Sequence, residues 1–169
     1  DLLKQKQETS EDTSLKKDDG NLINTTKLYI ARSKLTTNVR HLKEEIEIEE
    51  CLHGLGWTIF HPQEHSIKHQ LKVYEICKVI CGEEGSAMHL LFGLGIHAIK
   101  KVILLTQSYK NNFTLQLDCQ SIPKTVIYCL TKNSNCNKPG TRQDLKLCEN
   151  TNSKILTKTI DNYATIAIS

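Results

Sequence analysis

The apolar residues of this chain fall into short runs that are separated by longer amphipathic stretches. Four runs rich in β-branched and aliphatic residues predict strands at Leu28–Ile30, Trp57–Phe60, Lys78–Cys81 and Lys101–Leu105. The stretches between them carry apolar residues at helical spacing. From residue 27 to residue 106 the chain therefore alternates strand and helix, which is typical of βαβ units.

The first predicted helix follows a polar turn at Arg32–Lys34. Asn38 is its expected N-cap, and the pattern ends at Gly54 and Gly56. The apolar positions that predict its buried face are Val39, Leu42, Ile46, Cys51 and Leu52. The glutamates that predict a solvated face are Glu44, Glu45, Glu47, Glu49 and Glu50.

Two further helices are predicted, from Ile67 to Cys77 with Ser66 as its cap, and from Ser86 to Leu94 after a turn from Gly82 to Gly85. Beyond Thr106 the pattern is ambiguous. The segments 113–117 and 125–130 fit either a strand or a helix, and 133–142 predicts a loop containing Gly and Pro.

These elements predict an α/β fold, a Rossmann-like parallel sheet with helices on both faces. Residues 1–26 are mostly charged and polar, so we expect a flexible arm or linker there. Residues 27–169 are expected to form one domain, defined best up to about residue 106.

Composition narrows the classes of partner. The net charge of +3 is spread along the chain, which gives no support for binding nucleic acid, and the longest apolar run is too short to indicate membrane association. The seven cysteines contain no CxxC pair, which argues against a zinc site and a thioredoxin-like motif. Cys77 and Cys81 are expected in the core. A reducing compartment fits best, so we expect a cytoplasmic protein. The alternative, if the protein is eukaryotic, is the lumen of the Golgi or the ER.

The glycine-bounded segment after the third strand is the strongest chemical signal. Backbone N–H groups of Gly85, Ser86 and Ala87 would point out of a helix N-terminus, where a phosphate binds. Gly82 and Gly85 would let the chain turn tightly, although the segment matches neither GxGxxG nor the P-loop pattern.

Two carboxylates in this segment need a compensating cation. Glu83 and Glu84 would repel a phosphate if they faced it. Arg32 follows the first strand at the same end of the sheet and can grip a diphosphate with two hydrogen bonds, and Lys34 is a second candidate. Taken alone, each is more often an ordinary exposed surface cation, and Lys34 is the weaker candidate of the two.

The histidines predict no metal site, because no spacing among them matches a recognisable ligand set. His89 fits a core position and a pocket position about equally. No cofactor is predicted.

An ordered set of short motifs resembles the C-terminal half of glycosyltransferase family 61. The motifs cover about 80 of the 169 residues. They are Leu28-Tyr29-Ile30-Ala31-Arg32, Gly54-Leu55-Gly56-Trp57, His61-Pro62-Gln63-Glu64-His65-Ser66, Gln70, and Lys78 to His89 with Phe92. The run Gly82-Glu83-Glu84-Gly85-Ser86-Ala87-Met88-His89 resembles a bacterial subgroup of capsular polysaccharide enzymes. It departs from the many members that have His at the position of Glu84.

The resemblance implies a GT-B architecture, in which the C-terminal of two Rossmann-like domains binds the nucleotide-sugar donor. It implies that Arg32 contacts the diphosphate and that the segment from Gly82 to Ala87 cradles it. Glu64, Gln70, Glu84 and His89 would shape the adjoining pocket. The implied reaction inverts the anomeric centre without a metal, and its general base normally lies across the cleft.

Three hypotheses about function remain open. The first is a glycosyltransferase, or its donor-binding half, which transfers a sugar from a nucleotide diphosphate sugar to a glycan or other hydroxyl acceptor. The second is a non-catalytic remnant that binds a nucleotide sugar or a partner protein, which the modest length favours. The third is a polysaccharide-modifying enzyme such as a pyruvyl transferase. The first anticipates an additional N-terminal domain upstream of Asp1.

Overall fold

The structure is a computed structural model that describes residues 26–35, 42–93, 99, 101–106, 112–128, 130–132, 145–147 and 151–169. Several sequence-based predictions lie outside these residues. They are the arm at 1–26 apart from Thr26, the N-cap at Asn38, the apolar position Val39, the helix end at Leu94 and the loop at 133–142.

The centre of the fold is a five-stranded sheet in which every neighbouring pair of strands is parallel. Its strands are β1 Lys27–Ile30, β2 Thr58–Phe60, β3 Val79–Glu83, β4 Lys101–Thr106 and β5 Lys124–Tyr128, in the spatial order β2-β1-β3-β4-β5. Two short strands, β6 Leu130–Lys132 and β7 Leu145–Leu147, pair antiparallel in a separate sheet. The four predicted strands are confirmed, and the ambiguous residues 125–128 lie in strand β5.

Helices cover both faces of the sheet, because successive residues of each strand point to opposite sides. Helices α1 Glu45–Gly54 and α5 Ser153–Ile168 pack on one face, where their buried residues meet Tyr29 and Ile103. Helices α2 Ile67–Ile76, α3 Ser86–His89 and α4 Asn112–Cys119 pack on the other, against Leu28 and Leu104. The Rossmann-like α/β fold is confirmed.

Helix α1 differs from its prediction in start and in orientation. It begins at Glu45, and Leu42 before it forms an isolated bridge. Ile46 is 63% exposed instead of buried, and the buried positions are Glu45, Ile48 and Leu52. The prediction failed because alternating Ile and Glu residues fit two phases of the helix equally well, and tertiary packing selects between them.

The segment after β3 also differs from its prediction. Gly82 and Glu83 still belong to the strand, so the turn is confined to Glu84 and Gly85. Helix α3 is a single turn, and residues Leu90–Gly93 continue it as a 3-10 helix. A single turn carries a much smaller dipole than the full helix we expected.

Helix α5 is tied to the opposite end of the molecule from the carboxyl ends of the strands. Asp161 accepts hydrogen bonds at Oδ1 from Lys27 Nζ at 2.7 Å and from Trp57 Nε1 at 2.9 Å. Its first turn is capped by Asn152, which accepts from the backbone N–H of Ile155. These bonds connect α5 to the start of β1 and to the residue before β2.

Two smaller observations complete the fold. Cys77 and Cys81 are fully buried, as predicted. Within the described part of the chain, the helices are all too short or too polar to cross a lipid bilayer.

Candidate functional site

A cavity of about 500 Å³ opens at the carboxyl ends of β1, β2 and β3. The chain runs from β1 to β2, which lies on one side of β1 in the sheet, and then to β3, which lies on the other side. The connections therefore diverge between β1 and β3. Ligands of doubly wound sheets bind at such a switch point. The cavity is lined by Ala31, Arg32, Leu35, Pro62, Gln63, Ile67, Gln70, Ser86, Ala87 and Leu90. The loops after β1, β2 and β3 therefore converge at this cavity.

Arg32 is the cation of this cavity, and it is fixed at three points. Its backbone N–H donates to Glu45 Oε1 at 2.7 Å, and its carbonyl accepts from the N–H of Leu35 at 2.9 Å. Its guanidinium Nη1 pairs with Glu83 Oε2 at 3.2 Å. The side chain is only 16% exposed, so its direction is set by these partners.

The two carboxylates that would repel a phosphate both have partners in the structure. Glu83 is 2% exposed and forms the ion pair with Arg32. Glu84 accepts a hydrogen bond at Oε2 from Thr106 Oγ1 at 3.3 Å, at the end of β4. Arg32 therefore compensates one acid directly, and the other is bound by the neighbouring strand.

The two glycines serve different purposes. A Cβ at Gly82 would come within 3.2 Å of both Cβ and O of Ile30, so Gly82 permits close packing of β1 and β3. A Cβ at Gly85 would lie 3.3 Å from Nη1 of Arg32. Gly85 thus leaves room for the guanidinium, and its φ of 168° is ordinary extended backbone.

Ser86 and Ala87 bring the start of α3 to the cavity wall. The first backbone bonds of this turn are made by Met88 and His89, which both donate to the carbonyl of Gly85 at 3.0 and 3.3 Å. The preceding N–H groups stand at the open end of the helical turn, where no intrahelical acceptor exists.

Gln70 lines the cavity from α2 and is 8% exposed. Its Nε2 donates to the carbonyls of Pro62 at 2.7 Å and of His65 at 3.0 Å. Because carbonyls accept only, the orientation of this amide is determined, and both of its donors are used by the loop after β2. The oxygen Oε1 is the part of the amide left to bind a ligand.

Lys34 and Glu64 meet at the surface. Lys34 Nζ donates to both carboxylate oxygens of Glu64, at 3.0 and 3.2 Å, and both side chains are about half exposed. The hydrogen bond from Lys34 lowers the pKa of Glu64 below its usual value. This pair links the loops after β1 and β2, and neither residue is among those that line the cavity.

The side chain of His89 points away from the cavity. Its ring lies 5.8 Å from that of Phe92 and 5.3 Å, edge to face, from that of Phe113. It is exposed and does not line this cavity in the described structure. The structure thus brings together Arg32, Gly85, Ser86, Ala87 and Gln70, whereas Glu84 and His89 are directed away from them.

Sequence reasoning missed a buried acid beneath Arg32. Glu45, predicted on a solvated helix face, is 1% exposed. Burial above all, together with the charges of Glu83 and Glu49, raises its pKa to about 8, although its bond to the N–H of Arg32 acts in the opposite direction. The expectation of a solvated Glu45 was wrong, and nothing in the local pattern distinguishes it from its neighbouring glutamates.

His61 and Glu49 extend this polar layer. His61 Nε2 lies 3.7 Å from Glu49 Oε2, and burial lowers the pKa of the imidazole. The described residues contain no cluster of three or more His, Cys, Asp or Glu side chains placed to hold a metal ion.

Comparison with known proteins agrees with the motifs that line the cavity. The family model of glycosyltransferase 61 matches residues 2–94, which is more than half of the chain and includes β1, β2, β3 and the loops after them. No curated protein and no solved structure matches the chain significantly. The chain belongs to the glycosyltransferase 61 family.

Proposed function

We propose that the cavity binds the diphosphate of a nucleotide-sugar donor, and that the protein serves in transfer of the sugar to a glycan or other hydroxyl acceptor. The observation that carries this proposal is the placement of Arg32 over Gly85 at the switch point, beside the open N–H groups of α3. Membership of a glycosyltransferase family supports the reaction class.

The guanidinium retains donors for a ligand. Both of its hydrogen bonds to described residues leave from Nη1, to Glu83 and, at 3.5 Å, to the carbonyl of Glu84. Nη2 and Nε can therefore donate to phosphate oxygens, and a planar guanidinium suits two parallel bonds. Glu83 would keep the side chain aimed while the diphosphate binds.

The remainder of the cavity suits a nucleotide in size and character. A volume of about 500 Å³ is within the usual range for small-molecule sites. Leu35, Ile67 and Leu90 supply apolar walls on which a base or ribose can pack. Oε1 of Gln70 can accept a hydrogen bond from an N–H or hydroxyl group of the donor.

Catalysis would rest on stabilising the departing diphosphate. The charge that develops on the leaving group would be met by Arg32 and by backbone N–H groups already in position. The single helical turn of α3 contributes little dipole, so Arg32 has the larger share. We further propose, from the family resemblance, a GT-B arrangement, inversion at the anomeric carbon and a role in polysaccharide synthesis.

Calorimetric titration with UDP-, GDP- and CMP-sugars tests the proposal. We expect heat of binding with a diphosphate-linked sugar and weaker binding or none with a CMP-sugar, which has only one phosphate. No binding of any diphosphate-linked sugar would contradict it.

A further inference from the structure

We propose that Glu45 is a positioning residue for Arg32, which fixes the turn after β1 without adding negative charge beneath the anion site. This inference rests on the proposed role of Arg32 in binding the donor diphosphate. The role is indirect, since Glu45 is 1% exposed and lies behind Arg32 on α1.

The backbone of Arg32 stands just beyond the sheet and needs an acceptor of its own. The preceding residue, Ala31, still donates to the carbonyl of Phe60 at 2.8 Å, which is the last bond on the β2 side. The N–H of Arg32 has no strand carbonyl to use and is taken by Glu45 Oε1 at 2.7 Å. The side chain of Glu45, thirteen residues later in the sequence, thus fixes the backbone position from which the Arg32 side chain extends.

The surroundings of Glu45 favour its neutral form. It faces the carboxylates of Glu83 from β3 and Glu49 from its own helix, and Arg32 is the cation that acts on it. Tyr29 on β1 is fully buried beside it, and the pKa of that hydroxyl is raised well above 10, so it too stays neutral. Glu45 Oε2 is buried and has no hydrogen-bond partner in the described structure, so an ionised oxygen there would have no donor.

A neutral acid combines two properties that the site needs. Its carbonyl-like oxygen accepts the N–H of Arg32 as well as a glutamine oxygen would. At the same time it leaves the charge of Arg32 available to an incoming diphosphate, which an ionised Glu45 would repel. The pKa of about 8 means that Glu45 keeps its proton at neutral pH and loses it in mildly alkaline solution.

The first test follows the amide of Arg32 by ¹⁵N NMR between pH 6 and 9.5, without ligand. In the wild-type protein its shift should change with a midpoint near pH 8. The change should be absent in Glu45→Gln and retained in Glu50→Gln, which alters an exposed acid of the same helix. A titration of the Arg32 amide that persists in Glu45→Gln would overturn the proposal.

The second test measures UDP affinity of the same proteins. At pH 6.5, Glu45→Gln should bind within about twofold of wild type, while Glu45→Ala should lose roughly tenfold because the N–H of Arg32 has no acceptor. At pH 9, the wild type should bind about three- to tenfold more weakly than Glu45→Gln because Glu45 is then ionised.

Equal pH profiles for wild type and Glu45→Gln would contradict the proposal, as would full affinity of a folded Glu45→Ala protein. If Glu45→Ala does not fold, Glu45→Gln decides the question alone. If the wild type binds neither UDP nor GDP, the proposed function fails, and the Arg32 amide still decides whether Glu45 positions this residue.

Discussion

The guanidinium of Arg32 lies so close above Gly85 that a methyl group on residue 85 would stand 3.3 Å from Nη1. The two residues lie in the loops after different strands, β1 and β3, and are 53 positions apart. Their contact joins the cation of the cavity to the turn that would hold a phosphate.

Gly85→Ala should therefore weaken diphosphate binding while leaving the fold intact. The backbone at residue 85 is extended, so alanine is not strained there, but Arg32 must move by a few tenths of an ångström. We expect a loss of UDP affinity of about three- to tenfold, the effect of a strained charge-assisted bond. The measurement is calorimetric titration.

Gly93→Ala is the matched control, because a Cβ there meets no atom of the described residues within 4 Å. It should bind UDP like the wild type. If both alanine variants bind UDP equally well, the steric relationship between residues 32 and 85 has no part in binding.

Glu45→Gln should change the pH dependence of stability. The folded-state pKa of Glu45 is raised from 4.5 to about 8. The contribution of protonated Glu45 to the free energy of unfolding is therefore fully present below pH 4.5 and is lost as the pH rises through about 8. The glutamine variant carries no such proton, so its stability relative to wild type should rise between pH 5 and pH 8, by on the order of 3 to 4 kcal/mol.

Urea unfolding at pH 5 and pH 8 measures this difference. The stability gap between the variant and wild type should be larger at the higher pH. A gap that is the same at both values would mean that Glu45 titrates normally in the folded protein.

Asp161→Ala should destabilise the whole domain. The substitution leaves the indole N–H of Trp57 without its acceptor, and Trp57 is only 2% exposed. An unsatisfied buried donor costs about 1 to 3 kcal/mol, so the midpoint of thermal unfolding should fall by several degrees. Asp161→Asn, which can still accept from Trp57, should lose less.

Low pH should reproduce part of this loss of stability in the wild-type protein. Burial acts to raise the pKa of Asp161, but the hydrogen bonds from Lys27 and Trp57 outweigh it, and the pKa lies below the usual 3.8. The stabilising effect is thus present above pH 3.8 and is lost as the pH falls through the lower folded value. Acid unfolding of Asp161→Ala that parallels the wild type at every pH would contradict this role.

The sequence predicted the sheet well because its strands are compact, buried and rich in β-branched residues, as Val102 and Ile103 illustrate. It also predicted that Arg32 and the segment containing Gly85 would lie at the same end of the sheet, because parallel strands place their carboxyl ends at one edge. That inference needs only the direction of the strands.

The other features of the fold and of the site depended on tertiary contacts, which the sequence pattern does not show. Glu45 cannot be distinguished from Glu47 by spacing, because its burial follows from the need of the Arg32 N–H for an acceptor. Helix α5 and its bond from Trp57 to Asp161 join residues 104 positions apart, beyond the reach of local patterns. The side chains of Glu84 and His89 likewise turn towards Thr106 and Phe113, which no helical wheel would show.

Arg32→Ala tests the central claim most directly, by calorimetric titration with UDP at pH 6.5 beside Lys34→Ala as the surface control. Lys34 makes a half-exposed ion pair outside the cavity lining, so its variant should bind UDP nearly as well as the wild type. Arg32→Ala should lose about 1.5 to 3 kcal/mol of binding free energy, roughly ten- to hundredfold in affinity. Undiminished UDP binding by a folded Arg32→Ala protein would contradict the assignment of this cavity to the donor diphosphate.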